Sequence, residues 1–245
     1  MNYECNAEFL KQVTDPLAGW LYSLTAIRTL DLLDWQVANG VRGGLFEIGV
    51  YQGKYFSVLL RSGNAAGENI VGVDTFQFAP LPQVMDLLGK NGVDTSRVRM
   101  IERPSTKVAA SEVTGLLGGK ARFISIDGSH LKPDALNDLR LSDELLSDQG
   151  IIAADDVLNC LCMGVTEAVC EFLPTMKSRL VPFGYLPNKL LFCRPAMRET
   201  YTRVLEDALL AHPHDQIGEN FKNNHQRDRR SVITEFVGSP VLVAS

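Results

Sequence analysis

Leu45-Phe46-Glu47-Ile48-Gly49-Val50-Tyr51-Gln52-Gly53, residues 45–53, decides the reading of this chain. An apolar run carrying a single acid ends at two glycines, and Tyr55–Arg61 continues as a helical stretch. A buried strand, a glycine turn and a helix form the opening unit of a parallel sheet. The same texture recurs downstream. Ile70–Asp74, Val98–Ile101, Phe123–Asp127 and Gly150–Ala154 read as further buried strands. Pro82–Leu88, Thr106–Val113, Pro133–Leu146 and Gly164–Leu173 read as the helices between them. Arg179–Phe183 and Lys189–Arg194 are joined by five residues, which suits a hairpin and so an antiparallel strand.

The expected fold is therefore α/β, Rossmann-like and doubly wound, with a seven-stranded, mostly parallel sheet ending in an antiparallel C-terminal hairpin strand. An N-terminal helical segment precedes it. Asp15-Pro16 reads as its N-cap, with Leu17, Trp20, Leu21, Leu24 and Ile27 at helical spacing and Gly40 closing the helix. That apolar stripe needs cover from the domain's own sheet or from another subunit, so a homo-oligomer stays open. The organisation expected is a helical segment over 1–42, a cofactor-binding domain over 43–211 and a C-terminal flap or extension over 212–245. A helix over Glu199–Ala211 closes the central domain, and the polar stretch His212–Ser231 reads as a loop or flap. Val232–Val243 looks ordered again.

Composition narrows the functional classes. The 245 residues carry 24 basic and 29 acidic side chains, a net charge of -5, which gives no electrostatic reason to bind nucleic acid or anionic lipid. Five scattered cysteines, an odd number, argue against a disulfide framework, and Cys160-Leu161-Cys162 lacks the spacing of a zinc site. No apolar run reaches bilayer length, and Glu4, Glu8 and Asp15 stand where a signal peptide needs positive charge, so a cytoplasmic protein is expected.

Ligands of open α/β sheets bind outside the carboxyl ends of the strands. Gly49 and Gly53 permit a tight turn there, Glu47 places a carboxylate at the end of the first strand, and Asp74 at the end of the second suits ribose hydroxyls. A dinucleotide site needs a middle glycine where Tyr51 stands, and Glu47 would repel a diphosphate. A cofactor with an ammonium and a sulfonium tolerates that acid, which favours S-adenosylmethionine over NAD. The cofactor-binding set is Glu47, Gly49, Val50, Tyr51, Gly53, Asp74, Ser105 and Asp127.

The fourth strand runs into Asp127-Gly128-Ser129-His130 and the fifth into Asp155-Asp156. As neighbours, the strands would bring three carboxylates to one rim, and like charges so close oppose folding unless a cation joins them. Asp127, Asp155 and Asp156 are thus candidate ligands for a divalent metal, with Mg²⁺ suited to all-oxygen donors. The pair Asp155 and Asp156 reads equally well as loop acids or helix caps. His130 is the candidate general base, although a loop histidine is also commonly a surface residue.

Together these segments resemble the class I methyltransferases, specifically the metal-dependent small-molecule O-methyltransferases. The Glu47–Gly53 loop is similar to that of the catechol type, in which the acid, first glycine and tyrosine line the methionine part of the cofactor. Asp156 stands where catechol enzymes have asparagine, and His130 where they carry a lysine base. The enzymes that methylate sugars of macrolide antibiotics look closer, since some place histidine there and keep paired acids on the fifth strand. The resemblance spans about Gly44 to Arg194 and extends to Gly164-Val165-Thr166-Glu167 and the Pro182–Phe192 hairpin, where uncharacterised bacterial relatives look alike. It implies methyl transfer to a hydroxyl of a small molecule such as a sugar, a glycosylated natural product or a vicinal diol. The rival readings are an oxidoreductase or hydroxylase on the same scaffold, and a non-catalytic protein that kept the cofactor pocket.

Overall fold

Predominantly apolar runs make strands that tolerate burial on both faces, and these runs build the centre of the sheet. The computed structural model describes residues 2–176 and 179–244. Its strands are β1 (Gly44–Ile48), β2 (Ile70–Asp74), β3 (Val98–Glu102), β4 (Ala121–Ile126), β5 (Leu146–Asp155), β6 (Val181–Leu186), β7 (Lys189–Cys193), β8 (Ile233–Phe236) and β9 (Ser239–Val243). Among the described residues they form one sheet in the order β3-β2-β1-β4-β5-β7-β6-β9-β8. The first five in that order are mutually parallel, and β7 runs antiparallel between β5 and β6. The α/β Rossmann-like fold expected is therefore the fold found. Two strands extend it beyond seven: β9 adds parallel to β6, and β8 pairs antiparallel with β9.

The helices are α1 (Tyr3–Phe9), α2 (Ser23–Ala38), α3 (Lys54–Ala66), α4 (Leu81–Lys90), α5 (Ala110–Leu117), α6 (Lys132–Leu145), α7 (Met163–Met176), α8 (Arg198–Ala211) and α9 (Gln216–Arg227). Alternation along β1 shows how they share the two faces. Leu45 joins the core with Leu30 of α2, Phe56 and Leu59 of α3 and Tyr201 of α8. Phe46 points the other way, into the core with Leu139 of α6 and Val169 of α7. At the amino end of β4, Arg122 is fully buried. It donates to Glu68, Gln36 and Ser62, which ties the sheet to α2 and α3.

Two expectations change. The N-terminal helix does not start at Asp15-Pro16. A single π turn over Leu10–Thr14 ends there, and α2 begins only at Ser23. The Lys54 ammonium takes the carbonyls of Asp15 and Leu17, which a helix would use internally, and Gly19 at φ 138° breaks the run. The helical segment covers the chain's own sheet, since Leu10, Leu17 and Leu24 lie in the first core. The polar stretch expected as a loop or flap is helical over Gln216–Arg227. Asp215 caps it by accepting from the Gly218 N–H, and Phe221 is buried in the first core with Ile217 packed half-buried against it. No helix among the described residues is long and apolar enough to cross a membrane.

Candidate active site

The loop after β1 is held between its two neighbour strands. The Gly49 N–H donates to the Val73 carbonyl, and the Asp127 N–H donates to the Ile48 carbonyl, each at 2.8 Å. Gly49 has φ 85°, and a Cβ there would lie 1.7 Å from the Asp127 carbonyl oxygen, so the loops after β1 and β4 meet in a space that only glycine leaves open. Val50 is buried, whereas Tyr51 is partly exposed and also takes a positive φ. Gly53, in the left-handed region, opens α3. Asp74 at the end of β2 accepts at 2.7 Å from the Tyr51 N–H on one carboxylate oxygen and from the Phe76 N–H on the other. Each oxygen keeps a further lone pair. Ser105, beyond β3, lies close to Asp138 of α6.

A second constellation sits beside this loop. Glu47 is buried in β1, and one of its carboxylate oxygens has no hydrogen-bond partner. Burial pushes its carboxyl well above the usual carboxylate range, against the pull of Lys189. Ile126 pairs with Ala154, which sets Asp127 beside Asp155 one residue further along. Burial, and then the charge of Asp155, also pushes the Asp127 carboxyl well up. Asp155 faces Lys189 across the β5–β7 ladder, with Nζ 3.0 Å from Oδ2. The Lys189 side chain is only 2% exposed, and its ammonium lies 4.2 Å from the Tyr55 ring centroid. Burial opposes that charge, but Asp155 foremost among its neighbours holds the lysine pKa above its ordinary value.

Asp156 turns away from this group. It has φ 60°, and its Oδ1 accepts from Asn159 at 2.7 Å and from Asn188 at 2.9 Å. Its Oδ2 lies 2.9 Å from His130 Nε2, while His130 Nδ1 lies 3.3 Å from the Cys162 thiol. His130, Asp156 and Cys162 offer metal-binding atoms within 4.8 Å of one another, a grouping that involves only one of the three acids singled out from sequence. Asp127 and Asp155 lie together with Glu47 around Lys189, and Asp156 serves His130. Lys189, Asn188 and Cys162 had escaped the sequence reading. Only the antiparallel pairing of β7 with β5 brings Lys189 opposite Asp155. Cys160 and Cys162 are free thiols, as expected, the first exposed and the second buried.

A methyltransferase-domain family model matches residues 46–157, a little under half of the chain. That span runs from β1 to just past Asp156. Among solved structures, the chain is similar to the O-methyltransferase NovP, with 15% identity and a TM-score of 0.60 over 70% of this chain and 79% of that one. It is similar to CalS11, a TDP-rhamnose 3'-O-methyltransferase of calicheamicin biosynthesis, with 20% identity and a TM-score of 0.54 over 68% and 77%. The methyltransferase PaMTH1 of Podospora anserina, bound to S-adenosylhomocysteine, gives 16% identity and a TM-score of 0.52 over 69% and 78%. At these identities the likeness concerns the fold. No curated protein matches the sequence.

Proposed function

We propose that this protein moves the methyl group of S-adenosylmethionine to a hydroxyl of a small molecule, with His130 as the base. The observation that carries the proposal is the meeting of the glycine loop with a histidine–carboxylate pair at one sheet rim: Gly49 against Asp127, and His130 against Asp156. The orphaned oxygen of Glu47 suits the cofactor's ammonium, and Asp74 retains lone pairs for ribose hydroxyls.

Three carboxylates, Glu47, Asp127 and Asp155, share the interior of the rim with one ammonium, Lys189. That excess of negative charge and the oxygen donors of Asp127 and Asp155 fit a divalent cation such as Mg²⁺, and Asp156, next in the chain, would join them only by leaving His130. Bound there, the cation would lower the pKa of an acceptor hydroxyl and fix its position.

With Asp156 ionised, His130 carries its proton on Nε2 and keeps the lone pair on Nδ1. Nδ1 takes the hydroxyl proton, replacing the Cys162 thiol as its partner. The oxygen electron pair forms the new O–CH3 bond as the bond from sulfur to methyl breaks, which leaves S-adenosylhomocysteine. Asp156 is a positioning residue that fixes the ring and stabilises the imidazolium.

The test is turnover with labelled S-adenosylmethionine and a panel of hydroxyl acceptors. His130→Ala should lower turnover by about 10²–10⁴ and leave cofactor affinity intact. Excess chelator should stop turnover, and Mg²⁺ should restore it. Undiminished turnover in His130→Ala contradicts the assignment of the base, and full turnover in chelator contradicts the metal.

A further inference from the structure

Asp156 parts from the acids beside it and faces two donors of another kind. Its Oδ2 lies 2.9 Å from His130 Nε2, and His130 Nδ1 lies 3.3 Å from the Cys162 thiol. A carboxylate oxygen, an imidazole nitrogen and a sulfur thus come within 4.8 Å of one another. Among the described residues this is the one set of three His, Cys, Asp or Glu side chains that comes so close. Tetrahedral bonds of about 2.0 Å to nitrogen and oxygen and about 2.3 Å to sulfur put donors roughly 3.3–3.5 Å apart, so a small side-chain rotation closes the set around an ion. One sulfur and one imidazole suit Zn²⁺, whereas Mg²⁺ takes oxygen donors and water. Three protein donors leave the fourth position open.

The two inner donors are held in advance. Asn159 and Asn188 both donate to Asp156 Oδ1, which leaves Oδ2 for an ion, and such outer partners orient metal ligands. Cys162 stands immediately before α7, fixed by its N–H on the Asn159 carbonyl, while the Leu158 N–H donates to the Thr166 hydroxyl within α7. The start of α7 also packs on the His130 backbone, since a Cβ on Gly164 would lie 2.6 Å from the His130 carbonyl oxygen. The His130 side chain is 52% exposed, so its ring is free to turn towards an ion. Burial, and then the charge of Asp156, pushes the Cys162 thiol up to about 11, so without a cation it is a protonated thiol and not a nucleophile. A cation beside Asp156 reverses that effect of charge.

We infer that His130, Asp156 and Cys162 form a site for Zn²⁺, separate from the acids around Lys189, and that zinc there stops His130 from taking a proton. A neutral imidazole has one lone pair on its ring nitrogens. Whichever nitrogen binds the ion, the other carries the proton, and nothing is left for an acceptor hydroxyl. Cys162 enters as the thiolate, and its proton goes to solvent. The switch rests on the proposed role of His130, whereas the cation site does not. The test titrates the whole, chelator-washed protein with Co²⁺ in excess Mg²⁺, and then with Zn²⁺. Stoichiometric Co²⁺ should give the near-ultraviolet charge-transfer band of a cobalt thiolate, and Zn²⁺ should abolish it. Cys162→Ser should lose the band. Both that variant and His130→Ala, at a half-exposed position, should weaken Zn²⁺ by more than about tenfold. Cys160→Ser should keep the band and the affinity. Zinc should also lower turnover of labelled S-adenosylmethionine, and chelation followed by Mg²⁺ should restore it. The inference is overturned if no band appears, if Mg²⁺ prevents it, if Cys162→Ser keeps it or if Cys160→Ser loses it. Zinc bound at full turnover would remove the switch, and with it His130 as the base. Absence of S-adenosylhomocysteine binding would remove the methyl-transfer reading and leave the cation site standing.

Discussion

Lys189 Nζ lies 3.0 Å from Asp155 Oδ2 in the interior of the rim, and it is the ammonium around which Glu47, Asp127 and Asp155 gather. Removing one partner of a buried pair leaves the other uncompensated and costs roughly 3–5 kcal/mol. Lys189→Met should therefore lower the unfolding free energy read from urea denaturation by that amount, and the midpoint with it. A divalent cation that binds only the native acids stabilises by mass action, so Mg²⁺ should raise the midpoint of the variant more than that of the wild type. Equal stability of the two proteins without Mg²⁺ would show that Lys189 does not hold this cluster together.

The contact between Gly49 and Asp127 gives a sharper local test. A Cβ at position 49 would lie 1.7 Å from a backbone oxygen, and the residue has φ 85°. Gly49→Ala must shift the loop after β1 or the loop after β4, and the backbone strain alone costs about 1–3 kcal/mol. Cofactor affinity should fall more than stability, because the proposed cofactor site borders both loops. Gly89 is the control: it lies within α4, and nothing stands within 4 Å of its would-be Cβ. Gly89→Ala should gain about 0.5–1 kcal/mol. Denaturation and calorimetry on both variants check the pair, and a Gly49→Ala protein indistinguishable from wild type would contradict the close approach.

Much of this arrangement is legible in the sequence, for identifiable physical reasons. Strands β1, β2, β4 and β5 are apolar runs that end in glycine or acid, so periodicity and the position of functional groups at strand ends carry the same message. Trp20 misleads because it fits the helical spacing of Leu17, Leu24 and Ile27. No pattern reveals that Lys54 will take the carbonyls needed to begin the helix there. Helix α9 is hidden by its polarity, since its anchoring depends on Phe221 and on ion pairs made by residues at its end and beyond. Lys189 reads as an ordinary charge opening an edge hairpin, and only the register with β5 turns it into the buried partner of Asp155.

The C-terminal extension carries its own pH dependence. Glu206 of α8 accepts from Arg229 at 2.6 Å and lies 2.9 Å from His225, which docks α9 and the turn after it. Burial opposes ionisation, yet these two partners hold the Glu206 carboxyl below the usual range. A carboxylate whose folded pKa lies below its unfolded value adds stability above the unfolded pKa. That stability is lost as pH falls through the folded pKa. Because Arg229 is more than half exposed, the contribution should be only about 1 kcal/mol. Glu206→Gln should be less stable than wild type near neutral pH, and the difference should shrink as pH falls below the usual carboxylate range. Thermal melts across that range check this. A difference independent of pH would mean that packing, and not the charge, docks the extension.

The central claim is that the Glu47–Gly53 loop and Asp74 hold S-adenosylmethionine. Titration of the protein with S-adenosylhomocysteine tests it most directly, with NAD as the competing ligand. We predict saturable binding of S-adenosylhomocysteine by the wild type and no binding of NAD. Asp74→Ala should weaken that binding by about 1.5–3 kcal/mol, the range for hydrogen bonds to a charged group. No binding by the wild type, or tight binding of NAD in its place, would contradict the account.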